Sequence, residues 1–200
     1  MEKFQNKYRI PSARAQWWDY GNDGAYFITI CTANRKCYFG DVLDGKMKLS
    51  NMGVLADVLW YEIKTHAKNV TLDAFVVMPN HIHCILVLDG NGKNDNVETT
   101  HALSLTLNPS NPSNPQFNKQ TEKTPGQQRF QNQGVNTVSS IIGSYKSAVS
   151  KHAHRLGCDF KWQTRFYDNI IRDSESFNNI NEYIKRNPLK WEDDKFHPSK

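Results

Sequence analysis

Hydrophobic and polar positions along the chain fall into a small number of clearly periodic segments. Residues 25–32, Ala25-Tyr26-Phe27-Ile28-Thr29-Ile30-Cys31-Thr32, are a run of aromatic, β-branched and apolar residues behind the turn signal Gly21-Asn22-Asp23-Gly24. They predict a central strand. Residues 33–49 have no sustained period, apart from a hairpin signal at Leu43-Asp44-Gly45-Lys46-Met47. From a cap at Ser50 or Asn51, Val54, Leu55, Val58, Leu59 and Ile63 recur at helical spacing and predict a helix of about 15 residues. Period two returns in residues 70–78, where Leu72, Ala74, Val76 and Met78 alternate. Pro79-Asn80 makes a tight turn, and residues 81–88 are a third strand, so the two strands should form an antiparallel hairpin. A second helix starts at Thr137 or Ser139, buries Val138, Ile141, Ile142, Tyr145, Ala148 and Val149, and stops at Gly157. Phe166-Tyr167-Asp168-Asn169-Ile170-Ile171 predicts the fourth strand. A last helix is capped by Ser174, carries the stripe Phe177, Ile180 and Ile184, and ends before Pro188. Residues 191–200 are polar and are expected along the surface.

The order β-α-β-β-α-β with a terminal helix predicts an α+β fold. It is a ferredoxin-like or RRM-like antiparallel sheet with helices on one face and a C-terminal helix in addition. The first and third strands are then central neighbours. Two stretches stand outside this scheme. Residues 1–24 form a basic, aromatic N-terminal arm, with Lys3, Lys7, Arg9 and Arg14 ahead of Trp17-Trp18-Asp19-Tyr20. That mixture suits phosphates and bases as well as it suits covering a core. Residues 89–136 are dominated by Asn, Gln, Ser, Thr, Pro and Gly. Such a composition does not bury enough apolar surface to offset chain entropy, so it reads as a flexible insertion in one domain of residues 25–200. His101 lies there and is a poor ligand candidate.

Composition narrows the setting. The 200 residues suit one domain. Lys plus Arg outnumber Asp plus Glu by 25 to 20, a balance that permits nucleic-acid binding without establishing it. Cys31, Cys37, Cys84 and Cys158 form no C-x-x-C pair and read as reduced thiols of a cytoplasmic protein. The N-terminus has no apolar signal core, and no stretch is long enough for a membrane span.

The chemistry concentrates in Met78-Pro79-Asn80-His81-Ile82-His83-Cys84. A strand alternates its faces, so His81 and His83 point the same way. Neutral imidazole is the commonest metal ligand, and two side by side are half of a metal site. They also suit an ordinary, partly exposed strand. Tyr183 and Asn187 share a face of the last helix, four residues apart and offset from its apolar stripe. An amide oxygen from Asn187 suits Mg²⁺ or Mn²⁺ beside two imidazoles. Spacing alone favours a plainer reading, in which Tyr183 packs over the sheet edge and Asn187 caps the helix.

Met78-Pro79-Asn80-His81-Ile82-His83 resembles the His-hydrophobe-His motif of the HUH single-strand nucleases. Residues 162–172, Trp162-Gln163-Thr164-Arg165-Phe166-Tyr167-Asp168-Asn169-Ile170-Ile171-Arg172, followed by Tyr183-Ile184-Lys185-Arg186-Asn187-Pro188, resemble the C-terminal signature of the REP-associated tyrosine transposases. Asp19-Tyr20, Gly24-Ala25-Tyr26-Phe27 and Cys31-Thr32 extend the match over almost the whole chain outside the insertion. The resemblance implies a transposase-like enzyme that cleaves and rejoins single-stranded DNA near hairpins. It implies Tyr183 as nucleophile, with His81, His83 and Asn187 holding Mg²⁺ or Mn²⁺. Tyr167 is the better rival nucleophile, because Tyr145 sits on an apolar helix face. Lys7, Arg9, Arg14, Arg165, Arg172, Lys185 and Arg186 are candidate phosphate contacts, each equally explicable as surface charge. DNA is the implied partner, and family members include both homodimers and monomers. Two other readings stay open: a metal-dependent hydrolase in which water attacks, with another ligand beside the histidines, and a non-catalytic RRM-like binder offering Tyr26 and Phe27 for stacking.

Overall fold

A computed structural model describes residues 19–89 and 136–198, together with the backbone of two short strands, β1 (Lys3–Phe4) and β2 (Lys7–Tyr8), which pair with each other. The rest of the N-terminal arm, with Arg9 and Arg14, and the insertion, with His101, lie outside the described residues. So do the side chains of β1 and β2, including that of Lys7.

The main sheet is antiparallel throughout. Its strands are β3 (Gly24–Cys31), β6 (Val70–Val77), β7 (His81–Leu88) and β8 (Tyr167–Ile171), in the order β6-β7-β3-β8. This is the predicted α+β arrangement, with β3 and β7 central. The small hairpin of β4 (Gly40–Leu43) and β5 (Lys46–Leu49) turns through Asp44 and Gly45. Both turn residues take positive φ, 52° and 69°, as a two-residue hairpin turn requires.

One face of the sheet is apolar. Tyr26, Ile28 and Ile30 of β3 and Ile82, Cys84 and Leu86 of β7 are buried in the core with α1 (Asn51–Tyr61) and α3 (Val138–Arg155). Ser50 caps α1 by accepting from Gly53 N, and a single turn, α2 (Ile63–His66), follows it. Thr137 caps α3 through a reciprocal capping box with Ser140. Tyr145 belongs to this core, and its hydroxyl donates to Ala56 O at 2.8 Å.

Two predicted details are corrected. The inward face of α1 is Met52, Ala56 and Trp60, while Val54 and Val58 are exposed. Trp60 stacks on Phe75 of β6, with ring centroids 4.8 Å apart, and this contact fixes the helix rotation. The alternation of Leu72, Ala74, Val76 and Met78 is broken by an irregularity between Leu72 and Phe75. Leu72, Phe75 and Val77 therefore pair with the core residues Leu86, Cys84 and Ile82, whereas Val76 pairs with His83.

The second face is covered by α4 (Ser174–Arg186), which lies over β6 and β7. Asp173, not Ser174, is its N-cap, accepting from Ser176 N at 2.7 Å. A 3₁₀ segment, Pro188–Asp193, continues from α4. The tail from Trp191 onward contradicts the surface expectation. Trp191, Asp194 and Phe196 are buried against the second face. No helix among the described residues is long and apolar enough to cross a membrane.

Candidate functional site

The tight β6–β7 turn is closed by Met78 N donating to His81 O at 2.8 Å, so β7 begins at His81. His81 and His83 share the second face of the sheet, with their rings 4.5 Å apart and tilted at 69°. They are 0% and 1% exposed.

Each ring is oriented through Nδ1. His81 Nδ1 meets Asn80 Oδ1 at 2.9 Å. Asn80 Nδ2 donates to Phe196 O at 2.7 Å and Arg35 O at 3.1 Å. The amide orientation is thereby set, its oxygen accepts, and the hydrogen of His81 sits on Nδ1. His81 Nε2 is then a buried lone pair, and it has no hydrogen-bond partner among the described residues. His83 Nδ1 meets Thr29 Oγ1 at 2.9 Å, which leaves Nε2 facing the Tyr183 hydroxyl at 3.3 Å.

Burial, first of all, keeps both rings neutral. It pushes His81 well below its ordinary value, with help from neighbouring His83 and against a smaller opposing effect of hydrogen bonding with Asn187. It lowers His83 from 6.5 to about 3, with a smaller contribution from Lys195.

α4 and its extension supply the rest of the site. Tyr183 stands edge-on to Phe27, with centroids 6.0 Å apart, and is 40% exposed. Burial raises its proton affinity, and so does the charge of Asp194; hydrogen bonding with Asn187 offsets part of this. Asn187 is the C-cap of α4 and is buried. Its Nδ2 donates to Asp194 Oδ2 at 3.5 Å, while its Oδ1 is a buried oxygen without a partner. Asp194 accepts from Phe196 N at 2.7 Å. One ligand atom each from His81, His83 and Asp194 lies within 4.8 Å of the others.

These donors fit a divalent cation. Two neutral imidazoles and a carboxylate converge in one buried place, and the Asn187 amide stands beside them, hydrogen-bonded with Asp194 and interacting with His81. With its hydrogen on Nδ1, facing Thr29 Oγ1, His83 has one lone pair at Nε2, which can serve Tyr183 or a cation, but not both. Ligation would therefore release the phenol.

The structure thus brings together His81, His83, Tyr183 and Asn187. Asp194 was not legible in the sequence, where it sits in a polar tail. The signal was the pair of aromatics around it, Trp191 and Phe196, whose rings lie 6.0 Å and 4.6 Å from that of His81. The basic candidates lie elsewhere. Lys185 and Arg186 are on the exposed side of α4, 3.7 Å and 3.6 Å from Glu182. Arg165 and Arg172 are exposed on either side of β8. Tyr167 is half exposed on β8 and opposes Thr29. The RRM-like stacking pair is overturned: Tyr26 is buried on the core face, and Phe27 packs against His83 and Tyr183.

No family model matches the chain. An uncharacterised protein of Haemophilus influenzae is 32% identical over 187 residues, covering 93% of this chain and 92% of that protein. Among solved structures, a REP-associated tyrosine transposase bound to a REP hairpin superposes with a TM-score of 0.52 at 20% identity. The match covers 90% of this chain and 74% of the other. The chain belongs to the same family as the Haemophilus influenzae protein, and in its fold it resembles the REP-associated tyrosine transposases.

Proposed function

We propose that the protein is a transposase-like enzyme that cleaves and rejoins single-stranded DNA next to a hairpin, with Tyr183 as nucleophile. The observation that carries this reading is the Tyr183 hydroxyl 3.3 Å from His83 Nε2, at the edge of the buried His81, His83 and Asp194 cluster. The similar fold of a transposase bound to a REP hairpin supports DNA as the partner.

His81, His83 and Asn187 would hold Mg²⁺ or Mn²⁺, with Asp194 as a further ligand. When bound, the cation supplies positive charge to a phosphate oxygen and eases ionisation of a nearby phenol. The chain's own residues do the rest. Asn80 and Thr29 fix the two imidazoles in their orientation, and burial keeps them neutral. Tyr183 Oη attacks phosphorus, forming a 5′-phosphotyrosine as the bond from phosphorus to O3′ breaks. The leaving 3′ oxygen takes up a proton, and the phenolic proton leaves through the exposed side of Tyr183. The phosphotyrosine retains the phosphodiester energy, so attack by another 3′-hydroxyl rejoins the strand without ATP. Lys7, Arg9, Arg14, Arg165, Arg172, Lys185 and Arg186 would contact phosphates away from the reacting centre.

The buried Asp194 carboxylate favours one second reading, hydrolysis by water at a His-His-Asp site. A denaturing gel of labelled single-stranded hairpin DNA incubated with the protein and Mn²⁺ separates the two. Strand transfer gives a protein-bound band that disappears in Tyr183→Phe. Cutting without a bound band favours the hydrolase. A band that survives Tyr183→Phe and is lost in Tyr167→Phe overturns the choice of nucleophile.

A further inference from the structure

α4 carries Tyr183, yet little of the helix is packed tightly. Ile184 is the only fully buried side chain between Ser174 and Arg186, and Phe177 and Ile180 are partly buried. At about 100° per residue, these three fall within a stripe roughly 60° wide. A surface helix ordinarily buries about 100° or more. Apolar contact is also non-directional. So narrow a stripe holds α4 down on the sheet without fixing its rotation about its own axis. Tyr183 stands on one flank of the stripe and Asn181 on the other, about 160° apart.

The flank opposite Tyr183 is tied to β6. Asn181 Nδ2 donates to Asp73 Oδ1 at 2.6 Å. The acceptor is placed there by a bulge in the strand. Leu72 pairs with Leu86 and Phe75 with Cys84, so Asp73 and Ala74 together oppose the single residue Ile85. An extra residue of this kind bends the strand locally and re-aims its side chains. Asp73 Oδ1 also accepts from Ala74 N at 2.7 Å, which holds the carboxylate against its own strand. One carboxylate oxygen thus receives both hydrogens, and a link runs from the bulge through Asp73 and Asn181 to α4. Hydrogen bonds to a charged acceptor are the stronger kind.

We propose that Asp73 is a positioning residue for Tyr183: through Asn181 it sets the roll of α4, and so where the phenol stands beside His83. This deepens the strand-transfer reading above and rests on it. The hydroxyl lies far outside the backbone cylinder of the helix, so a roll of about 10° carries it roughly 1 Å or more. A displacement of about that size at a reacting group can slow the chemistry by as much as a hundredfold.

The test follows the rate at which the protein-bound band forms with labelled hairpin DNA and Mn²⁺, over a range of DNA concentrations. Asp73→Ala and Asn181→Ala should each lower the plateau rate about tenfold. The half-saturating DNA concentration should stay the same, because DNA is still held while the nucleophile is displaced. The double variant should be no slower than either single one, since both remove the same link. Asp73→Asn keeps an acceptor oxygen and should be faster than Asp73→Ala. Asp73 is exposed, so these variants should fold, which melting curves check. Undiminished plateau rates, losses that multiply in the double variant, or a rise in the half-saturating concentration alone overturns the positioning role while strand transfer stands. An unsubstituted protein that forms no protein-bound band overturns the strand-transfer reading, and the positioning role with it.

Discussion

His83 is held neutral at a cost that shows as a dependence of stability on pH. Its ordinary value is 6.5 and burial brings it to about 3 in the folded chain. As pH falls below 6.5, the unfolded chain takes up the proton first and the folded chain resists it. The stability contributed by the neutral ring is therefore complete above that value and is lost progressively towards 3. The slope is at most about 1.4 kcal/mol per pH unit for each such histidine. His81 is shifted in the same direction by the same burial and adds to the loss. Urea midpoints of the metal-free protein should fall between neutral pH and about pH 5, and His83→Gln should flatten the decline. A midpoint that stays level over that interval would mean that the rings are solvated and are poor candidates for a buried site. The sequence carried the histidines and their shared face, because period two is a property of any strand. It did not carry Asn80 and Thr29 as the residues that orient them, because those contacts depend on the turn and on the register with β3.

Among the elements, strands were more legible than helix faces. Each strand of the sheet announced itself through β-branched and aromatic residues between turn signals, and antiparallel pairing followed from the short Pro79-Asn80 turn. The rotation of α1 was not legible, because apolar residues occur nearly all round it. The decision is made by size. Trp60 fills the space over Phe75, and Gly53 and Ala56 allow the close approach: a Cβ at Gly53 would lie 2.1 Å from Phe39 O. Val54 and Val58 are left 49% and 53% exposed. Replacing Val58 by Lys should thus change unfolding free energy by no more than about 0.5 kcal/mol, whereas Trp60→Ala should cost about 3–5 kcal/mol. Chemical denaturation of the two variants checks this, and a large loss in Val58→Lys would restore the face read from periodicity. The tail was not legible for the opposite reason. Its polar residues outnumber the aromatics, yet Trp191 and Phe196 are enough to pin it over the imidazoles, with Arg35 Nη1 donating to Lys195 O at 3.0 Å from outside.

At the scale of the whole molecule, the sheet separates two kinds of interior. One face is closed by α1 and α3 over an apolar core. The other is closed by α4 and the tail over imidazoles, a carboxylate and an amide. The candidate ligands come from β7, from the end of α4 and from the tail, which lie far apart in sequence and meet only in the folded chain. A cation at that place would bind the folded state and not the unfolded one, so it should stabilise the molecule as a whole. At a hundredfold excess over its dissociation constant the gain is about 2.7 kcal/mol. For a protein of this size, that raises the melting temperature by roughly 5–10 °C. The shift with Mn²⁺ should vanish in His81→Ala and His83→Ala. Tyr167→Ala should keep it in full, because that residue is half exposed on β8. Asp194→Asn is the informative variant: it keeps the shape of the tail and removes the charge, so a reduced shift makes the carboxylate a ligand. An undiminished shift would leave the ion to the two histidines and Asn187, and the tail would then serve only to shield them from water.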